Sequence, residues 1–171
     1  FPIEAEDDVE LWCKCYPGDP LPPRLKRHKD KRIKVTEGRW TDEKLAKWYE
    51  EIDVFVCASK GEGWGLMPHE AGAVGRPSIV PLWLGFSGFL NESNCYSVAF
   101  DLVEASGDTY SGHGHWVSPS VDSIAEKMKA TSEGMYYKLC GEPSPHNGDF
   151  RRLSIDSMVS GYDRVLRRNL K

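Results

Sequence analysis

Residues 53–80 read DVFVCASKGEGWGLMPHEAGAVGRPSIV, and this stretch decides the fold. Val54-Phe55-Val56-Cys57-Ala58 is a short apolar run of the kind that makes a buried strand. Gly61, Gly63 and Gly65 then alternate around Glu62 and Trp64, which predicts a loop. Pro68 suits the first turn of a helix, where its missing N–H is no loss. Glu70 and Ala71 continue that helix, Gly75-Arg76-Pro77 ends it, and Ser78-Ile79-Val80 begins another strand. A strand–loop–helix–strand unit is the building block of a parallel α/β sheet. Glycines let backbone approach a ligand closely, and a helix N-terminus attracts anions. The loop is therefore a candidate site for a phosphate-bearing ligand.

Glu62 and Glu70 have seven residues between them, in the setting EGWGLMPHE followed by AGAVGRP. This resembles the glutamate-pair motif of retaining nucleotide-sugar glycosyltransferases with two Rossmann-like domains, the GT-B fold. The resemblance covers most of residues 7–130. It implies the donor-binding C-terminal half of such an enzyme, a Rossmann-like parallel sheet with helices on both faces. It also implies roles for single residues. Glu62 is the catalytic-site residue that orients sugar hydroxyls, and Glu70 holds the ribose. The backbone of Gly63, Trp64, Gly65 and Leu66 serves the diphosphate and the sugar, and Trp40 flanks the base. The substrate implied is a nucleotide-diphosphate sugar, the acceptor a hydroxyl on a glycan, lipid or protein, and no metal cofactor is needed.

The chemistry of a sugar nucleotide matches these residue types. Ribose hydroxyls bind best to an ionised carboxylate, because charge-assisted hydrogen bonds are the strong ones. A diphosphate needs backbone N–H groups and cations. Each feature alone has a plainer reading. Glu70, expected in the first turn of the helix, can be a partner of the helix dipole, worth about 0.3–1 kcal/mol. The glycines can serve a tight turn alone, and Trp40 can pack a sheet edge. It is the joint pattern that favours a donor site. Two other functions share the fold: a non-catalytic nucleotide- or sugar-binding module, and a sugar-nucleotide epimerase. The glutamate spacing favours the transferase over the epimerase.

The sequence opens on Phe1-Pro2, and FPIEAEDD reads as the end of a helix and its exit loop. In the family that it resembles, a strand, a helix and a loop carrying Arg and Lys come earlier in the same domain, and an acceptor-binding N-terminal domain comes before those. The expectation is one nucleotide-sugar-binding domain over residues 1–171, a fragment lacking its first strand and helix and inactive alone. Its 171 residues suit one domain. A net charge of −4 gives no electrostatic support to nucleic acid as a partner. No apolar run approaches the roughly 20 residues that span a bilayer. Five cysteines, an odd number at irregular spacing, predict reduced thiols and a cytoplasmic location.

Outward from the motif, residues 9–16 (VELWCKCY) and 33–38 (IKVTEG) read as strands. Cys13 and Cys15 share a strand face, and two small buried side chains explain them better than a metal site. Four prolines and the basic run Arg24–Arg32 make residues 17–32 a loop with a solvated face. Thr41 caps a helix in which Leu45, Trp48, Tyr49 and Ile52 recur at helical spacing. After the strand over 78–82, residues 83–88 form a loop, Phe89-Leu90 start a brief helix, and residues 96–100 form a strand. Residues 101–120 are predicted as loop, with His113 and His115 exposed. An amphipathic helix covers 121–130, with Ile124, Ala125 and Met128 inward. Residues 131–149 are irregular, and a long helix follows from Asp149 to Leu170.

Overall fold

A computed structural model describes residues 9–18, 29–107 and 112–132, together with Pro23 and Arg27. The opening octapeptide and the expected helix over 149–170 lie outside the described residues, as do most of the 17–28 loop and all but the start of 131–149. The chain divides into two compact units, residues 1–45 and residues 46–171, each taken by itself.

In the first unit, β1 (Leu11–Cys15) pairs parallel with β2 (Ile33–Glu37), with Leu11 opposite Ile33 and Cys15 opposite Glu37. Lys34 reaches across the pair to Glu10, an exposed ion pair of the kind that adds little stability. Cys13 and Cys15 are free thiols, and burial raises the pKa of Cys13. Thr41 caps α1 (Asp42–Glu51), which belongs to the second unit from Ala46 on, as expected: its hydroxyl accepts from the Lys44 N–H at 3.4 Å and its carbonyl from the Leu45 N–H at 3.0 Å.

The second unit holds the sheet that the motif predicts. β3 (Phe55–Val56), β4 (Ser78–Val80) and β5 (Cys95–Ser97) form a parallel sheet in that order, with β4 in the middle. The ladder extends past the strand ends, where Cys57 N–H donates to the Ile79 carbonyl at 3.0 Å and Val98 N–H to the Val80 carbonyl at 3.0 Å. Every residue of β4 is buried, as a strand covered on both faces must be.

Alternation along the strands sorts the core into two clusters. Ile79, Tyr96 and Val98 meet Val54, Val56, Ile124 and Met128, so α3 (Val121–Ser132) covers one face. Cys57, Val80, Phe86, Phe89, Leu90 and Cys95 gather with Phe55, Trp64 and Leu82 on the other. On that side α2 (Leu66–Ala73) contacts β3 and β4, and its His69 ring meets Phe89 edge-on at 5.2 Å. Helices thus cover both faces of the sheet. The Arg76 N–H bonds the Ala71 carbonyl and the Gly75 N–H the Gly72 carbonyl, a Schellman ending that stops α2 where GRP predicts.

Three expectations need correction. Residues 83–88 are not plain loop: Leu84–Gly88 form a 3₁₀ turn, and the brief helix begins before Phe89. Its Phe86 turns inward with Phe89 and Leu90, and that burial fixes the turn. Residues 101–120 are not mainly loop either. β6 (Phe100–Glu104) and β7 (His115–Pro119) form an antiparallel hairpin, with Leu102 opposite Val117. Val117 is 1% exposed, which anchors the hairpin. Glu70 is the fifth residue of α2, beyond the first turn, because the helix starts at Leu66 ahead of Pro68.

Ile79 is fully buried at the centre of the sheet. Ile79→Ala is expected to cost about 2–5 kcal/mol and Ile79→Val about 0.5–1.5 kcal/mol. Urea unfolding monitored by circular dichroism checks both, and a cost below about 1 kcal/mol for alanine would contradict the assigned core.

Candidate functional site

The loop that follows β3 and the turn that follows β4 both leave the carboxyl ends of parallel strands, where open α/β sheets bind ligands. The two are in backbone contact. A Cβ on Gly85 would lie 2.7 Å from the Gly63 carbonyl carbon and oxygen and 2.7 Å from the Trp64 nitrogen. Only glycine permits that approach. Gly65 is held as tightly: its φ is +88°, and a Cβ there would lie 2.5 Å from the Phe86 ring.

Between these loops is an open recess of about 550 Å³, lined by Glu62, Gly63, Trp64, Leu84, Gly85 and Gly88. Trp64 is the aromatic residue of its lining. The Trp64 indole stacks on Phe89 with ring centroids 5.4 Å apart and meets the His69 ring edge-on at 6.1 Å. Leu84, at φ +47°, exposes its side chain at the mouth. Glu62 is the one carboxylate among the described residues of the lining. Its charge also reaches Cys57. Burial pushes the Cys57 thiol up, an effect opposed by a hydrogen bond to the Ser59 backbone and reinforced by Glu62. Cys57 is therefore an inert core thiol, not a nucleophile.

The structure brings Glu62, Gly63 and Trp64 together in the recess. Gly65 is buried behind it as the residue that starts α2. Leu66 follows as the first helical residue, exposed to solvent. Glu70 does not line the recess. It is half-buried on α2, and its Oε2 accepts a hydrogen bond from the Tyr49 hydroxyl at 3.0 Å. Trp40 belongs to the first unit, where Lys44 Nζ is 4.6 Å and Lys14 Nζ 5.4 Å from its ring centroid. Lys14 also lies over the Tyr16 ring at 3.9 Å. His113 and His115 are exposed, and no group of ligands able to hold a metal occurs among the described residues.

Sequence reasoning missed two neighbours of the motif loop. The Val117 N–H of β7 donates to the Lys60 carbonyl at 2.9 Å, and the Trp116 ring lies over Gly61. Only the alternation of HWVSP could have signalled that strand. Tyr49 stood in the expected helical stripe, but nothing in the stripe pairs it with Glu70.

Gly85→Ala forces the two loops apart and is expected to destabilise the fold by about 1–3 kcal/mol. Gly88→Ala places a Cβ 3.6 Å from Trp64, an ordinary contact, and is expected to stay within about 0.5 kcal/mol. Thermal unfolding of the two variants side by side checks the contrast.

His69 supplies a pH test. Burial lowers its pKa below the ordinary 6.5, with the neighbouring Glu70 charge partly offsetting the effect. The unfolded chain then binds the proton more readily than the folded one. Stability due to this group is complete above about pH 6.5 and falls as the pH drops through the lowered folded value. His69→Gln should flatten the stability profile below about pH 6.5 relative to wild type. Parallel profiles in denaturant titrations would exclude His69 as the cause.

A search of curated proteins found no match to the chain. The family description that does match is glycosyl transferases group 1, over residues 3–130. That span contains both units' described strands, the recess and α2, and ends within α3. The chain belongs to the group 1 glycosyl transferases, and the activity of the family is glycosyl transfer.

Proposed function

We propose that this domain binds the donor of a retaining glycosyl transfer, a nucleoside-diphosphate sugar, and that the protein moves the sugar to an acceptor hydroxyl on a glycan, lipid or protein. One observation carries the reading: the recess beyond the carboxyl ends of β3 and β4, with Glu62 in its wall and two glycine-bearing loops as its sides.

In this reading Glu62 is the catalytic residue that touches the sugar hydroxyls. The backbone N–H groups of Gly63, Trp64, Gly65 and Leu66 face the diphosphate as charge develops on it, in the manner of other preorganised anion holes. Gly63, where a Cβ would point into open space, keeps a side chain out of the path, so the ligand can approach peptide backbone directly. Glu70 accepts hydrogen bonds from the ribose. Retention of anomeric configuration is inferred from the glutamate pair, and no metal has a part in the scheme.

The test is the Glu70→Gln variant. Glutamine keeps the shape and loses the charge, so the fold is expected to persist. A lost hydrogen bond to a charged group is worth roughly 1.5–3 kcal/mol, about ten- to a hundred-fold in affinity. Titration calorimetry of the full-length protein with UDP, GDP and ADP, before and after the substitution, reads that change. Unaltered affinity for the preferred nucleotide would remove Glu70 from the donor site.

A further inference from the structure

We infer that Tyr49 is a positioning residue for the donor site, acting on the ribose through Glu70. The inference rests on the ribose role proposed above for Glu70.

Tyr49, a residue of the second unit, is 3% exposed and is the buried residue of α1. A buried phenol needs a partner for its O–H. Among the partners that α1 could offer, the hydroxyl reaches instead to a residue 21 positions later, on α2, and donates to Glu70 Oε2 at 3.0 Å. The ring that carries the hydroxyl has little room to move. It meets Phe55, the first residue of β3, edge-on at 5.8 Å, and Trp48 at 5.3 Å. The donor is therefore fixed by the same strand that leads into the motif loop.

The consequence for Glu70 is geometric. An ionised carboxylate has two oxygens and about four lone-pair directions. Tyr49 takes one direction on Oε2 and thereby sets the carboxylate plane. Among the described residues no other hydrogen bond to the Glu70 carboxylate is present, so Oε1 and the remaining directions can take a pair of adjacent hydroxyls, such as the 2′ and 3′ hydroxyls of a ribose. Without the phenol, Glu70 must be oriented by the ligand itself, and a side chain ordered on binding weakens affinity by about three- to tenfold. A second structural tie supports the same region: Arg76 Nη2, beyond the end of α2, donates to the Glu50 carbonyl of α1. The helix that carries Tyr49 is thus joined both to α2 and to the turn that follows it.

Tyr49→Phe deletes the hydroxyl and keeps the ring contacts. Calorimetric titration uses whichever of UDP, GDP and ADP the full-length wild type binds best, and the 2′,3′-dideoxy form of the same nucleotide. We expect wild type to prefer the ribonucleotide by about tenfold or more. Tyr49→Phe should weaken the ribonucleotide about three- to tenfold and leave the dideoxy form unchanged. Glu70→Gln should erase most of the preference, and Tyr49→Phe should then add little on top of it. If Tyr49→Phe spares ribonucleotide binding, or weakens both forms equally, Tyr49 has only a packing role; the inference falls while the ribose role of Glu70 stands. If wild type does not distinguish the two forms, or binds none of the nucleotides, the ribose role falls and the inference with it.

Discussion

The approach of Gly85 to the backbone of Gly63 and Trp64 is the constraint on which the site depends. Two chain segments that leave adjacent strands would normally diverge, separated by their side chains. Here they touch peptide to peptide. The contact is possible because β3 and β4 are parallel neighbours, so both segments emerge at the same sheet edge. The contact holds because the rings beneath are packed. Phe86 turns inward beside Gly65, and Phe89 stacks under Trp64. The recess lies between these two segments, and three of its six lining residues are glycines.

The sheet beneath supplies the rigidity. β4 is buried on both faces, and its alternate residues divide the work: Ile79 packs toward α3, Val80 toward the aromatic side. Only the second cluster touches the site. A change in the α3 face therefore reaches the recess through β4, whereas Trp64, Phe86 and Phe89 shape it directly. α1 and α2 add a polar tie between Tyr49 and Glu70 on the aromatic side.

Much of this was legible in the sequence, for physical reasons that differ from residue to residue. The parallel strands, the glycine loop and the stop of α2 are local patterns and form where expected, except that the strand expected over 96–100 ends at Ser97 and Phe100 opens β6. The start of α2 was placed too late. Pro68 marks a first turn, but the helix begins two residues earlier, once Gly65 adopts its left-handed conformation. Glu70 moved out of the first turn as a result. The β6–β7 hairpin was hidden because its strands are short and the Gly- and Ser-rich segment between them dominates the reading. Most of β6 is exposed, so it lacks the apolar signature of a buried strand. The contacts of Tyr49 with Glu70 and of β7 with Lys60 join residues far apart in sequence. No local pattern encodes such pairs; they arise only when the elements pack.

The tie between β7 and the motif loop has a thermodynamic consequence. The loop is held at Lys60 by the Val117 N–H, covered at Gly61 by Trp116, and seated at Gly65 against Phe86. Only Glu62, Gly63 and Trp64 lie between those anchors, and Trp64 is itself stacked. Glycine-rich loops ordinarily surrender much conformational entropy when a ligand orders them, about 1–2 kcal/mol for each residue fixed. A loop fastened at both ends has already given up most of that freedom during folding. Association then draws on the folding stability of the hairpin and the sheet, and a residue as distant in sequence as Val117 becomes a determinant of how favourably the recess is filled.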